Sequence, residues 1–203
     1  MKEQSMPDFS LENAAKEEGY AIVCGVDEAG RGPLCGPVVA GAVILPPEAA
    51  QLGINDSKKL SEKKREALFE QITKIALAYG IGMASPEEID AYNILNATML
   101  AMNRAVAAMG VRPDLLLIDG NCARGIELPA RTVVKGDAKS ISIGAASILA
   151  KVTRDRIMLE YDALYPQYQL ARHKGYPTAA HIALVREHGV NEIYRRSFLK
   201  KIL

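Results

Sequence analysis

The sequence predicts an α/β protein, a mixed sheet with helices around it, and three observations carry that prediction. Short apolar runs rich in Val, Ile and Leu alternate with longer segments of helical periodicity. Glycines, prolines and capping residues punctuate the boundaries between them. A length of 203 residues suffices for one substantial core, so a single domain over residues 20–203 behind a variable leader at 1–19 accounts for the chain.

In order along the chain, residues 1–19 are polar and carry no apolar segment, so they read as a poorly ordered or weakly helical leader and match neither a signal nor a transit peptide. Residues 20–26 are nearly all apolar, as in a strand buried on both faces, and 37–45 form a second strand ended by Pro46-Pro47. The glycine-rich connection between them predicts an antiparallel hairpin. Ser61 is placed to cap a helix reaching Ala78, with Leu68, Ile72, Ile75 and Tyr79 at helical spacing. Residues 78–84 form the third strand, and Ser85-Pro86-Glu87-Glu88 is a capping box with proline in the first turn, where a helix begins. A next helix spans 93–109, its stripe of Leu95, Met99, Met102, Val106 and Met109 facing the core. Residues 114–118 and 131–135 are strands four and five. A helix follows over 140–156, with Gly144 expected to loosen its start. A basic loop at 172–178 then opens a helix capped by Thr178 and ended by Gly189.

The formal net charge is only +1, yet residues 1–130 carry 12 Lys/Arg against 18 Asp/Glu, while 131–203 carry 13 against 6 and all three histidines. An acidic part able to hold metal beside a basic part able to hold a polyanion is what a nucleic-acid enzyme needs. Cys24, Cys35 and Cys122 form no C-x-x-C pair and lie far from the histidines, so reduced thiols in a cytoplasmic protein are expected. No apolar run is long enough for a membrane span, and no membrane association is expected.

The chemistry concentrates in Gly25-Val-Asp-Glu-Ala-Gly-Arg-Gly-Pro-Leu-Cys-Gly36, where Asp27 and Glu28 sit at the passage from an apolar strand into glycine-rich backbone. Strand alternation points the two acids to opposite sides unless the chain turns. Gly30 and Gly32 supply turning freedom and let a ligand approach the main chain, and Arg31 between them offers planar donors to a phosphate or hydroxyl. No Gly-Lys-Ser/Thr follows, which excludes a P-loop. Asp119 and Asp137 also lie at the ends of apolar strands, and parallel strands bring such ends together. Four carboxylates at one sheet edge repel one another unless cations sit between them, and hard oxygen ligands suit Mg²⁺ or Mn²⁺ rather than zinc. Two such ions about 4 Å apart serve an in-line phosphodiester displacement. Beside glycine, the same aspartates would equally serve as turn residues. Ser140, Gly144, Ser147, Lys151 and Arg154 share one helix face, a basic, hydroxyl-bearing stripe able to track phosphates. Tyr176, in the basic loop, could stack on a sugar or base; a tyrosine before proline also packs.

These residues together resemble bacterial ribonuclease HII, the type 2 ribonuclease H family. The resemblance covers residues 20–198 and is carried by Val26-Asp-Glu-Ala-Gly-Arg-Gly-Pro33, Asn55-Asp-Ser-Lys-Lys-Leu60, Leu117-Ile-Asp-Gly120, Val134-Lys-Gly-Asp137, Ala145-Ala-Ser-Ile-Leu-Ala-Lys-Val-Thr-Arg-Asp155, His173-Lys-Gly-Tyr-Pro177 and Arg195-Arg-Ser-Phe198. It implies the ribonuclease H-like fold, a five-stranded mixed sheet flanked by helices with a helical C-terminal part. The implied activity is hydrolysis of the RNA strand of RNA/DNA hybrids and cutting 5′ to single ribonucleotides in duplex DNA. Asp27, Glu28, Asp119 and Asp137 become the catalytic acids holding two Mn²⁺ or Mg²⁺ ions. Gly30, Arg31 and Gly32 become the reader of the 2′-hydroxyl, Tyr176 a contact to the sugar at the RNA-to-DNA junction, and Lys58, Lys59, Ser147, Lys151 and Lys174 candidate phosphate contacts. A monomer is expected, with no clamp-binding peptide at the C-terminus. Two rivals stand beside this reading: an ATPase or sugar kinase of the same superfold, and a hybrid-binding module without activity.

Overall fold

The computed structural model describes residues 6–55, 57, 60–200 and 202. Its centre is a five-stranded mixed sheet in the order β3-β2-β1-β4-β5, built from β1 (Val23–Ala29), β2 (Val38–Ile44), β3 (Ala78–Ala84), β4 (Leu115–Asp119) and β5 (Ala130–Val133). β1, β4 and β5 run parallel, whereas β2 pairs antiparallel with both β1 and β3. Period-two alternation sends Cys24, Val26, Leu116 and Ile118 to one face, beneath α3 (Pro86–Ala108), with Met102 and Ala105 packed on them. Val23, Leu115 and Leu117 face the other side, against Ile143 of α4 (Ile141–Leu164). Each such fully buried Leu or Ile is worth about 1.5–3 kcal/mol relative to exposure.

Glycines let the helices lie directly on the sheet. A Cβ on Gly25 would fall 2.2 Å from the Ser142 carbonyl carbon of α4, and one on Gly82 would fall 2.2 Å from the Ala101 oxygen of α3. The same close approach explains Gly144, where a Cβ would meet Ile54 at 2.9 Å and the Asp137 carbonyl at 3.1 Å. Rather than loosening the helix start, this glycine seats α4 beside the Asp137 turn.

Three expectations are corrected. The segment expected to be a poorly ordered or weakly helical leader forms the helix α1 (Ser10–Glu17), but it packs into the fold rather than preceding it, with Ala15 and Glu12 buried. The Glu12 carboxylate accepts the Ser140 hydroxyl at 2.6 Å and the Ser142 N–H at 3.1 Å, placing an anion at the positive end of α4. β1 and β2 pair antiparallel, but no tight hairpin turn joins them. Residues 30–37 leave the sheet as a loop because Leu34 and Cys35 bury in a separate apolar cluster with Met158, Tyr168, Leu170, Val185, Ile193 and Tyr194. Finally, α4 continues past residue 156 to Leu164. The remaining helices are α2 (Glu62–Ile75), capped by Ser61, α5 (Leu170–His173), α6 (Ala179–His188), capped by Thr178, and α7 (Arg196–Leu199).

Candidate active site

β1 runs through Ala29, so Asp27 and Glu28 lie within the strand and alternate across it. Asp27 shares the face of Gly25, toward α4, where the Ser147 hydroxyl hydrogen-bonds its carboxylate. Val26 pairs in parallel with Ile118, which makes Asp27 and Asp119 side-by-side neighbours at the same end of the sheet. Asp119 in turn accepts the Gly136 N–H at 2.6 Å, holding the short turn Gly136–Ala138 that carries the buried Asp137. Glu28 meets Arg31 at 3.3 Å.

Asp27 is only 4% exposed. Burial first, then the charges of Glu28 and Asp119, push its carboxyl well above the usual carboxylate range, opposed only by the hydrogen bonds from Ser147 and from the Glu28 N–H at 2.7 Å. Ser147 is itself braced by Ser57 at 2.9 Å. Among the described residues no group of three or more His, Cys, Asp or Glu side chains is placed to hold a metal ion.

Beside the acids opens a cleft lined by Glu28, Gly30, Arg31, Gly32, Ser147, Lys151 and Tyr176. A Cβ on Gly32 would meet only the Tyr176 ring, at 3.6 Å, so the turn and this 42% exposed tyrosine form one wall. The turn has a floor. Arg195, fully buried, donates to the carbonyls of Gly30, Arg31, Pro33 and Gly36 at 2.7–3.1 Å. Arg154, 1% exposed, donates to Cys35, Pro37 and Lys174 carbonyls at 3.0–3.1 Å. Burial lowers the Arg195 guanidinium to about 9 and that of Arg154 in the same direction.

The ribonuclease HII family profile matches residues 24–201. The chain belongs to the ribonuclease HII family. A ribonuclease HII of Vibrio cholerae serotype O1 is 57% identical over 192 residues, covering 95% of this chain and 93% of that one. Among solved structures, ribonuclease H2 from Pyrococcus horikoshii OT3 aligns with a TM-score of 0.75 at 29% identity, covering 89% of this chain and 96% of the other. RNase HII of Archaeoglobus fulgidus, solved in complex with PCNA, aligns with a TM-score of 0.74 at 25% identity over 86% and 94%. The fold is therefore the ribonuclease H-like one that the motifs implied, and the protein is a nuclease of the ribonuclease H type.

The expected contacts separate into groups. The Gly30-Arg31-Gly32 turn, Tyr176, Ser147 and Lys151 meet in the cleft. Lys151 is paired with Asp155 at 2.7 Å, and the Ser147 hydroxyl is engaged by Asp27 and Ser57. Lys174 is anchored through its carbonyl by Arg154. Lys58 and Lys59 lie outside the described residues. Arg154 does not belong to a phosphate-tracking stripe; it points inward, because the loop at 30–37 offers carbonyls that only a buried donor can satisfy. The role of Arg195 is absent from the sequence reading: its carbonyl partners lie about 160 residues away, and nothing local distinguishes it from Arg196.

Proposed function

We propose that the chain hydrolyses the RNA strand of RNA/DNA hybrids and cuts duplex DNA on the 5′ side of a single embedded ribonucleotide, leaving 3′-hydroxyl and 5′-phosphate ends. The observation that carries this is a buried Asp27, destabilised by like charges, beside a cleft walled by bare glycine backbone and Tyr176. Hard oxygen donors gathered around a buried Asp27 that Glu28 and Asp119 repel fit Mg²⁺ or Mn²⁺. No three of these acids are gathered into a ligand set among the described residues, so their side chains would have to turn toward the ions: Asp27 would be shared between two ions, with Glu28 and Asp119 completing one site and Asp137 the other. Bound there, such ions supply an activated water and stabilisation of the leaving oxygen.

The remaining work falls to the chain. Ser147 orients the Asp27 carboxylate, and the Gly136 N–H orients Asp119. The Gly30-Arg31-Gly32 backbone reads the 2′-hydroxyl, the atom by which a protein tells RNA from DNA. Tyr176 lies against the sugar at the junction, while Lys151 and Lys174 contribute positive charge toward the phosphates. The protein acts as a monomer.

The test is an end-labelled DNA duplex with one ribonucleotide, incubated with Mg²⁺, Mn²⁺ or chelator beside an all-DNA control. A metal-dependent cut immediately 5′ to the ribonucleotide, absent from the control, is the expected result. No cut on this duplex or on a long hybrid would contradict the proposal.

A further inference from the structure

We infer that Arg195 is a positioning residue for ribonucleotide recognition: its buried guanidinium aims the N–H groups of Arg31 and Gly32 at the substrate. This rests on the reading of the Gly30-Arg31-Gly32 turn proposed above. The geometry follows from the peptide bond. All peptide bonds among the described residues are trans, and in a trans peptide the C=O and the following N–H point in opposite directions. Arg195 Nη2 holds the Gly30 carbonyl at 2.7 Å and Nη1 holds the Arg31 carbonyl at 3.1 Å, both inward. The N–H groups of Arg31 and Gly32, the other ends of those two peptide planes, are thereby turned away from the interior toward the cleft. Among the described residues neither has an acceptor, whereas two N–H groups further along the loop do: Leu34 donates to Gly175 and Gly36 to Ile193, each at 2.8 Å.

The guanidinium is suited to this because its planar fork reaches four carbonyls at once, adding Pro33 and Gly36 to the two above. A lysine would bring the same charge to a single point and could not fix two successive peptide planes. Arg195 is itself held in place: its own N–H donates to the Leu34 carbonyl, its guanidinium lies over the Phe198 ring, and Asp90 caps the helix that starts at the next residue. The C-terminal segment is thus part of the recognition device through its hydrogen bonds to the loop.

The experiment compares Arg195→Lys, Arg195→Ala and Gly32→Ala on the single-ribonucleotide duplex, with thermal melts and all-DNA duplex binding as controls. Arg195→Lys is expected to keep its melt and its all-DNA affinity, while kcat falls about 30-fold or more and KM moves less than about threefold, because misaligned donors leave the bound ribonucleotide out of register with the acids. Guanidinium ion at tens of millimolar should recover part of the Arg195→Ala rate and leave the wild type unchanged. A folded Arg195→Lys with wild-type kcat would overturn the inference, as would an Arg195→Ala loss fully explained by its unfolded fraction. Gly32→Ala separates the two levels: normal cleavage by it defeats the reading of the turn itself, whereas loss there beside a normal Arg195→Lys defeats only the positioning role. Should the Arg195 variants not fold, amide NMR on the wild type decides. The Arg31 and Gly32 N–H resonances should exchange faster than those of Leu34 and Gly36 and should shift with a ribonucleotide-containing duplex in chelator but not with all-DNA duplex. Equal protection of all four would overturn the inference.

Discussion

The molecule buries charge in two neighbouring places and treats it in opposite ways. Around the loop at 30–37, the cations Arg154 and Arg195 are surrounded by carbonyl dipoles and make seven hydrogen bonds between them. At the end of β1, the carboxyl of Asp27 is buried beside two further acids, Glu28 and Asp119. The first arrangement is satisfied by the chain and makes a rigid frame. The second is left strained in a way that a divalent cation would relieve, as expected where stability is given up for function. Neutralising a charge should therefore have opposite consequences in the two regions.

The largest expected effect is at the acids. Asp27→Asn should lower cleavage by at least about 10²–10³-fold, the scale of losing one major electrostatic stabiliser. In chelator the same change should raise the melting temperature by a few degrees, because a carboxyl whose ionisation is disfavoured by burial and by neighbouring acids is replaced by a neutral amide. Activity assays and melts of one preparation check both, and a variant that is inactive and less stable would break the contrast. Next come the two glycines of the turn. Gly30 has φ of +98° and a Cβ there would fall 2.1 Å from Arg154 Nε, so Gly30→Ala should destabilise the fold by about 1–3 kcal/mol. Gly32→Ala meets no such clash and should melt normally while losing cleavage.

A smaller effect concerns the histidines behind the loop. His181 is buried, stacked on His173 at 4.1 Å and bonded through its ring nitrogens to the Tyr176 carbonyl and the Tyr194 hydroxyl. Burial lowers its imidazole to about 4, while the unfolded chain takes up the proton near 6.5. The stability it contributes is complete above pH 6.5 and is lost as pH falls toward 4. His181→Gln should flatten that part of the stability–pH curve, read from denaturant melts across the range. Smallest is Lys151→Ala, which should weaken duplex binding uniformly and reduce the salt slope of log K by about 1 or less, since Lys151 is already paired with Asp155.

What was legible in the sequence was what local pattern controls. Apolar runs and caps marked the sheet and helices, and the break at Asn93 was visible too: α3 is continuous except there, where φ is 66° and the Asn93 side chain accepts the Leu95 and Asn96 N–H groups. The pairing of Asp27 with Asp119 followed from parallel strands. The inward direction of Arg154, the role of Arg195 and the burial of Glu12 did not, because each is fixed mainly by partners more than 100 residues away, for the two arginines in a loop that leaves the sheet. Helical spacing put Arg154 on the face of Lys151, and spacing carries no information about which end of that face is covered.

The most direct test of the charge contrast is the melting temperature of wild type and Asp27→Asn across an Mn²⁺ titration, without substrate. The account predicts that Mn²⁺ raises the wild-type melting temperature progressively, as ligand binding to the folded state must, and leaves Asp27→Asn nearly unmoved. Equal shifts in both proteins, or none in the wild type, would contradict it.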